Sequence, residues 1–169
     1  MEKYPMSKRV IVTLVGLLLF SAPTVQSQQR QTLDVMLSDA NYVFNRYDEL
    51  SSGALCDSWK ASDSLKRTCK DELRLIASNV QSTKPVLSRA AGSKSPELID
   101  LFDVLVELNE VAGHLMELSN NVSDFGGVDG TPYAQAGAKA LILSAQLGNE
   151  IKIRLATQQA RLLRCGAEK

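Results

Sequence analysis

The sequence predicts an all-α fold: an up-down-up-down four-helix bundle with a long C-terminal helix, following a cleaved export signal. Three observations predict the bundle. Apolar residues recur at spacings of three and four along four separate segments. The stretches between them carry capping and helix-stopping residues. No segment alternates apolar and polar residues as a half-buried strand would.

The export signal comes first in the chain. Lys8 and Arg9 form a positive n-region, and Val10 to Phe20 carry no charge. The small, polar segment Ser21-Ala22-Pro23-Thr24-Val25-Gln26-Ser27 follows. Signal peptidases accept compact side chains one and three residues before the cut, so Val25 and Ser27 place cleavage after Ser27. A spanning helix needs about 20 apolar residues, far more than Val10–Phe20 supplies, so no permanent membrane anchor is expected. No cysteine lies near the cut to carry a lipid. The expected domains are therefore 1–27, the cleaved signal, and 28–169, a single helical bundle that is exported to the periplasm or secreted. That bundle has 16 basic against 18 acidic residues. A near-neutral surface offers no basic stripe for nucleic acid.

The first helix is expected from about Gln31 to Leu50, with Leu33, Met36, Leu37, Ala40, Val43, Phe44, Tyr47 and Leu50 on one face. Ser51-Ser52-Gly53 ends it. A short turn around Leu55–Trp59 leads to the second helix, from Ser62 or Asp63 to about Ser82, buried along Leu65, Cys69, Leu73, Ile76 and Val80. Lys84-Pro85 predicts a break there, with Ser88 to Ser95 as connector. The third helix starts with Ser95 as cap and Pro96 at the first position, where a missing N–H costs nothing. Its apolar face runs from Leu98 through Leu101, Phe102, Leu105, Leu108, Ala112 and Leu115 to Leu118. Asn120 to Gly130 reads as loop and holds a glycosylation sequon, Asn121-Val122-Ser123. The fourth helix begins with Thr131-Pro132, extends to about Arg164 and stops at Gly166. Its first half is rich in Ala, Gly and Ser, which lets a neighbouring backbone approach closely. At about 33 residues it should overhang the bundle by roughly 20 Å.

The third helix carries Asp100, Asp103, Glu107, Glu110, His114 and Glu117 at spacings of three and four. Carboxylates and an imidazole on one face are metal-ligand types, and Glu110 with His114 forms the natural pair for a divalent-metal or small-ligand carrier. The stripe is calculated to lie about 150° from the centre of the apolar face, pointing at solvent, and no second helix offers a matching pair. The expectation is therefore no metal and no cofactor. His114 is the only histidine, and no Cys-x-x-Cys-His occurs, which leaves little room for a catalytic triad or covalent haem. The chain is read as non-catalytic.

Among the cysteines, Cys56 and Cys69 can bridge if the chain folds back at Ala61-Ser62-Asp63. Cys165 is then the odd one, read either as an intermolecular or reactive thiol or as a sheltered unpaired one. The leading functional expectation is an exported protein-interaction or structural module. Its partner surface, for another protein or for self-association, is expected on the late C-terminal helix around Ile151, Ile153, Leu155, Leu162, Leu163 and Cys165. The competing reading has these residues cap the end of the bundle through the Pro85–Pro96 connector.

Overall fold

A computed structural model of the chain describes residues 32–52 and 54–167; the side chains of residues 54 and 164–167 are outside the described set. The expected signal, 1–27, lies outside it too. The described residues form an all-α helical bundle. Its elements are α1 (Leu33–Leu50), the single turn α2 (Ala54–Asp57), α3 (Asp63–Gly92), α4 (Leu98–Asn121) and α5 (Thr131–Ala167). No helix among the described residues is long and apolar enough to cross a membrane.

Side-chain pairs set the register of neighbouring helices. Across α3 and α4, Asn79 donates to Glu110 at 3.1 Å and Arg89 grips Asp100 at 2.7 Å. Ten residues along one helix match ten back along the other, so the two run antiparallel. Across α4 and α5, Met116 lies at Gly137, Asn109 takes a 2.7 Å hydrogen bond from Ser144, and Leu105 sits at Gly148. Steps of seven and four in one helix again match seven and four back in the other. Across α1 and α5, Asp39 meets Lys139 at 3.1 Å, while the Tyr133 hydroxyl donates to the Leu50 carbonyl at 3.3 Å.

The core runs through all four long helices. It includes Leu37, Phe44 and Tyr47 of α1, Leu73, Val80 and Leu87 of α3, Leu101, Leu108 and Leu115 of α4, and Leu147 and Ile151 of α5, each buried. Burying a Leu- or Phe-sized side chain contributes about 1.5–3 kcal/mol, so this apolar set drives the assembly.

Two expected boundaries differ. α3 does not stop before Pro85 but runs through it to Gly92, so most of the expected connector is helix. Pro85 is exposed, whereas Thr83, Leu87 and Ala90 around it are buried and Arg89 is tied to Asp100. Packing of this last stretch outweighs the roughly 3 kcal/mol that an interior proline costs. α4 starts at Leu98, with Glu97 in the cap position and no side-chain cap bond, two residues later than Ser95 would place it. After Asn121 the chain continues as a π-turn, Val122–Gly126, and turns at Gly127 with φ 59°. Most of the expected loop is thus helical.

The tight α4–α5 approach is visible at two glycines. A Cβ on Gly130 would collide with the Ser119 carbonyl oxygen and lie 2.7 Å from Ser123 Oγ. One on Gly137 would lie 3.1 Å from Met116 Sδ and 3.2 Å from the Ala112 carbonyl. The small residues in the first half of α5 are what allow this contact.

Candidate functional site

Three places bring chemistry-bearing residues together. The first is a line of buried polar residues along α4, each with its own surroundings. Asp100, Glu107 and His114 are all buried, with relative exposures of 5%, 5% and 9%. This corrects the expectation that the acidic stripe of α4 faces solvent. The six residues form two lines, not one. Asp100, Glu107 and His114 are spaced by seven, which drifts only about 20° per heptad, and they border the buried Val104, Val111 and Leu118. Asp103, Glu110 and Glu117 lie about 60° further round and are exposed. α4 packs against α1, α3 and α5 together, so its buried arc is wider than a helix with two neighbours needs. Phe102 is outside that arc and 41% exposed, contrary to its expected place in the core.

Each member of the inner line meets burial differently. Asp100 takes two hydrogen bonds from the Arg89 guanidinium, which hold its carboxyl below the usual range. His114 Nδ1 and the Tyr47 hydroxyl share a hydrogen bond of 2.8 Å. Burial depresses the imidazole to about 4, keeping it neutral at pH 7, and raises the Tyr47 phenol. Glu107 is the exception. Its Oε1 is buried with no hydrogen-bond partner, and burial, aided by the Glu110 charge, lifts the carboxyl to about 7.

Glu110 and His114, the pair named for a metal, are not brought together as ligands. His114 points into the bundle towards Tyr47, whereas Glu110 is exposed and accepts from Asn79 of α3. Among the described residues no three His, Cys, Asp or Glu side chains converge on a common point for a cation. Tyr47 and Glu107 were missed as members of an interior polar set; the heptad spacing of Asp100, Glu107 and His114 was the available signal.

The second place is the α1–α3 corner. Cys56 and Cys69 form a disulfide with a Cα–Cα distance of 5.9 Å, as the fold-back reading expected. Ser62 caps α3 by accepting from the Leu65 N–H at 3.3 Å, which sets the direction of the return. Trp59 is buried beside the bridge and stacks on Phe125 at 5.8 Å, and the Lys60 N–H donates to the Phe125 carbonyl at 2.7 Å. The arrangement staples α3 to the π-turn at the far end of α4.

The third place is the late part of α5. Ile151 is buried in the core at 2%, which removes it from the expected partner surface; it closes the bundle beside Leu147. Beyond it every described side chain from Lys152 to Leu163 is exposed except Arg154, which is partly buried and holds Glu150 at 2.9 Å. Ile153 and Leu155 are 41% and 40% exposed, Leu162 and Leu163 73% and 75%. Continuing the α4–α5 register sets Leu98, the first residue of α4, level with Leu155. The following residues to Ala167 extend the helix about 18 Å past the start of α4. Cys165 lies on this extension, with its side chain outside the described residues. The competing cap role does not hold for Leu162 and Leu163, which touch no connector closely enough to be covered.

Comparison with models of known protein families, with curated proteins and with solved structures finds no match to this chain. The functional reading therefore rests on the geometry.

Proposed function

We propose that this protein is exported and non-catalytic, and acts by binding a protein partner through the end of α5. One observation carries the reading: α5 leaves the bundle after Ile151 while still presenting Ile153, Leu155, Leu162 and Leu163 to solvent. An extension of this length has no role in closing the core, and Leu155 and Leu162, seven residues apart, share one face of it, the spacing of anchors on a helix that docks against a partner. The disulfide supports export, because such bonds persist mainly outside the reducing cytosol. The signal-like segment ahead of Gln28 supplies the route.

Two measurements test this. Fractionation of the native host should place the protein outside the cytoplasm with its N-terminus at Gln28; recovery from the cytoplasm alone, with the N-terminus intact, overturns the export step. A photo-crosslinking residue at Leu162 should give a discrete conjugate in the native host, while the same residue at exposed Ser88 should not. No conjugate from Leu162 overturns the docking role.

A further inference from the structure

The reading above leaves the partner open, and the surface of the bundle itself narrows it. α3 and α4 share a seam that is acidic on both sides. In their register Glu72 faces Glu117, and the Glu72 carboxyl is pushed up by burial and by that like charge. Glu107 is likewise pushed up by burial and by Glu110. No base draws either carboxyl back down. Between Pro96 and Leu118 the chain has six acids and no lysine or arginine. Arg89 of α3 offsets Asp100 and its neighbours at one end of the seam, but among the described residues no lysine or arginine is paired with Glu72, Glu110 or Glu117. Like charges set side by side are destabilising, so that stretch is a surface that a cationic partner would relieve.

The seam is also apolar. Leu75, between Glu72 and Asn79 on the same line of α3, is 62% exposed. Val106, between Asp103 and Glu110 on α4, is 54% exposed. Gly113 lies between Glu110 and Glu117, and a Cβ there would meet nothing within 4 Å. Two helices thus flank a shallow strip with leucine and valine in it, a glycine in its floor and carboxylates along its edge.

The end of α5 has the complementary character. From Ile151 to Ala167 it carries Lys152, Arg154, Arg161 and Arg164 and no acid. Its Leu155 and Leu162 are seven residues apart, as are Arg154 and Arg161. On α4, Asp103, Glu110 and Glu117 are also seven apart, and so are Val106 and Gly113. Both surfaces therefore repeat charge and apolar contact every ~10.5 Å. Arg154 already holds Glu150, so Arg161 carries the larger share of the pairing.

Resting on the reading that α5 is a docking element, we infer that its partner is a second copy of this chain, whose acidic α3–α4 seam receives the basic, leucine-bearing end of α5. The alternative of two α5 ends pairing with each other would set Lys152, Arg154, Arg161 and Arg164 against the same four bases, with only Glu150 and Glu168 at the edges to offset them. The proposed contact joins unlike surfaces, so it propagates head to tail into a ring or a chain of molecules. It is a helix laid into a groove, with leucines as anchors and rim charges giving specificity.

The experiment uses the protein with Cys165→Ser throughout, so that no thiol bridge contributes. Sedimentation equilibrium should show concentration-dependent association at ~50 mM salt that weakens by about tenfold or more near ~500 mM, since rim charges are screened. Leu162→Asp, which disables the α5 end, and Asp103→Lys with Glu117→Lys, which disables the seam, should each be monomeric with unchanged helicity and melting. Mixed together they should form a 1:1 dimer that grows no further, because one supplies the intact seam and the other the intact end. A seam variant that still associates alone points to paired α5 ends and overturns the inference. A parent chain that stays monomeric also overturns it, whether or not it binds anionic vesicles. In that case a Leu162 conjugate to a different protein leaves the docking role standing, and its absence removes both.

Discussion

Replacing Glu107 with Gln should change how stability depends on pH, in a direction set by where that carboxyl sits. The folded protein holds Glu107 at about 7 against an ordinary value of 4.5, chiefly because burial disfavours its charge. Folding therefore favours its protonated form. Its stabilising contribution is complete below pH 4.5 and is lost as pH rises through 7. The gap between the two values corresponds to about 3 kcal/mol. His114 behaves oppositely. Burial lowers it from 6.5 to about 4, so its contribution is complete above pH 6.5 and is lost as pH falls towards 4. Between pH 4.5 and 6.5 the two slopes oppose each other, and their sum in the parent protein is nearly flat.

In Glu107→Gln only the His114 slope remains. Relative to the parent, the variant should gain about 3 kcal/mol between pH 4.5 and pH 8, equivalent to about 10 °C in Tm for a domain of this size. The quantity to measure is the change in the difference between the two proteins, from urea titrations at several pH values. A constant offset due to the amide itself cancels in that comparison. A difference that stays constant within about 1 kcal/mol over this range would refute the assignment of Glu107 as a buried, unpartnered carboxyl.

Three further changes probe separate parts of the bundle. Gly130→Ala should destabilise by about 2 kcal/mol or more in thermal melts, since its Cβ meets the Ser119 backbone, whereas Gly113→Ala, in open space on α4, should stabilise by about 0.5–1 kcal/mol. Tyr47→Phe removes the only hydroxyl bonded to His114 Nδ1, and should cost about 1–3 kcal/mol at pH 7 in urea titration. Removing the bridge with Cys56→Ala and Cys69→Ala should cost about 3 kcal/mol, given the 13-residue separation it closes, with the melt remaining cooperative.

Much of the helical skeleton was legible because its signals are local. The three-and-four spacing in α1, the start of α3 at Ser62 or Asp63 and the small residues of α5 each depend on a few turns of chain, and each stands in the structure. The Cys56–Cys69 bridge was legible as a conditional: a continuous helix would hold the two cysteines about 20 Å apart, so a bridge requires the fold-back that Ala61-Ser62-Asp63 permits. The errors have a common cause in tertiary packing. Helix α3 passes through Pro85 because Leu87 and Ala90 are buried beyond it, which no local rule contains. The inner acidic line of α4 was taken for surface because it lies about 150° from the centre of the apolar face, but α4 packs against three helices and its buried arc reaches that far. A charged residue can be assigned to a helix face from spacing alone, but whether that face is covered depends on every helix that packs there.

The end of α5 combines both lessons. A detached peptide of a dozen residues would be marginally helical in water, because the first turn must be nucleated at a large entropic cost. Here the nucleus already exists: Gly137, Ser144 and Gly148 lock the first half of α5 against α4, and Leu147 and Ile151 bury it. The extension only has to propagate, one hydrogen bond per residue fixed. Its leucines and arginines are therefore held in place before any partner arrives, which lowers the ordering cost of binding. The same tight α4–α5 contact that gives the bundle its glycine-dependent packing also makes its exposed end a preformed helix. Loosening the stem should consequently weaken binding at the tip: Gly137→Ala, more than ten residues from Leu155, should reduce association in the same sedimentation assay even though it touches neither docking surface.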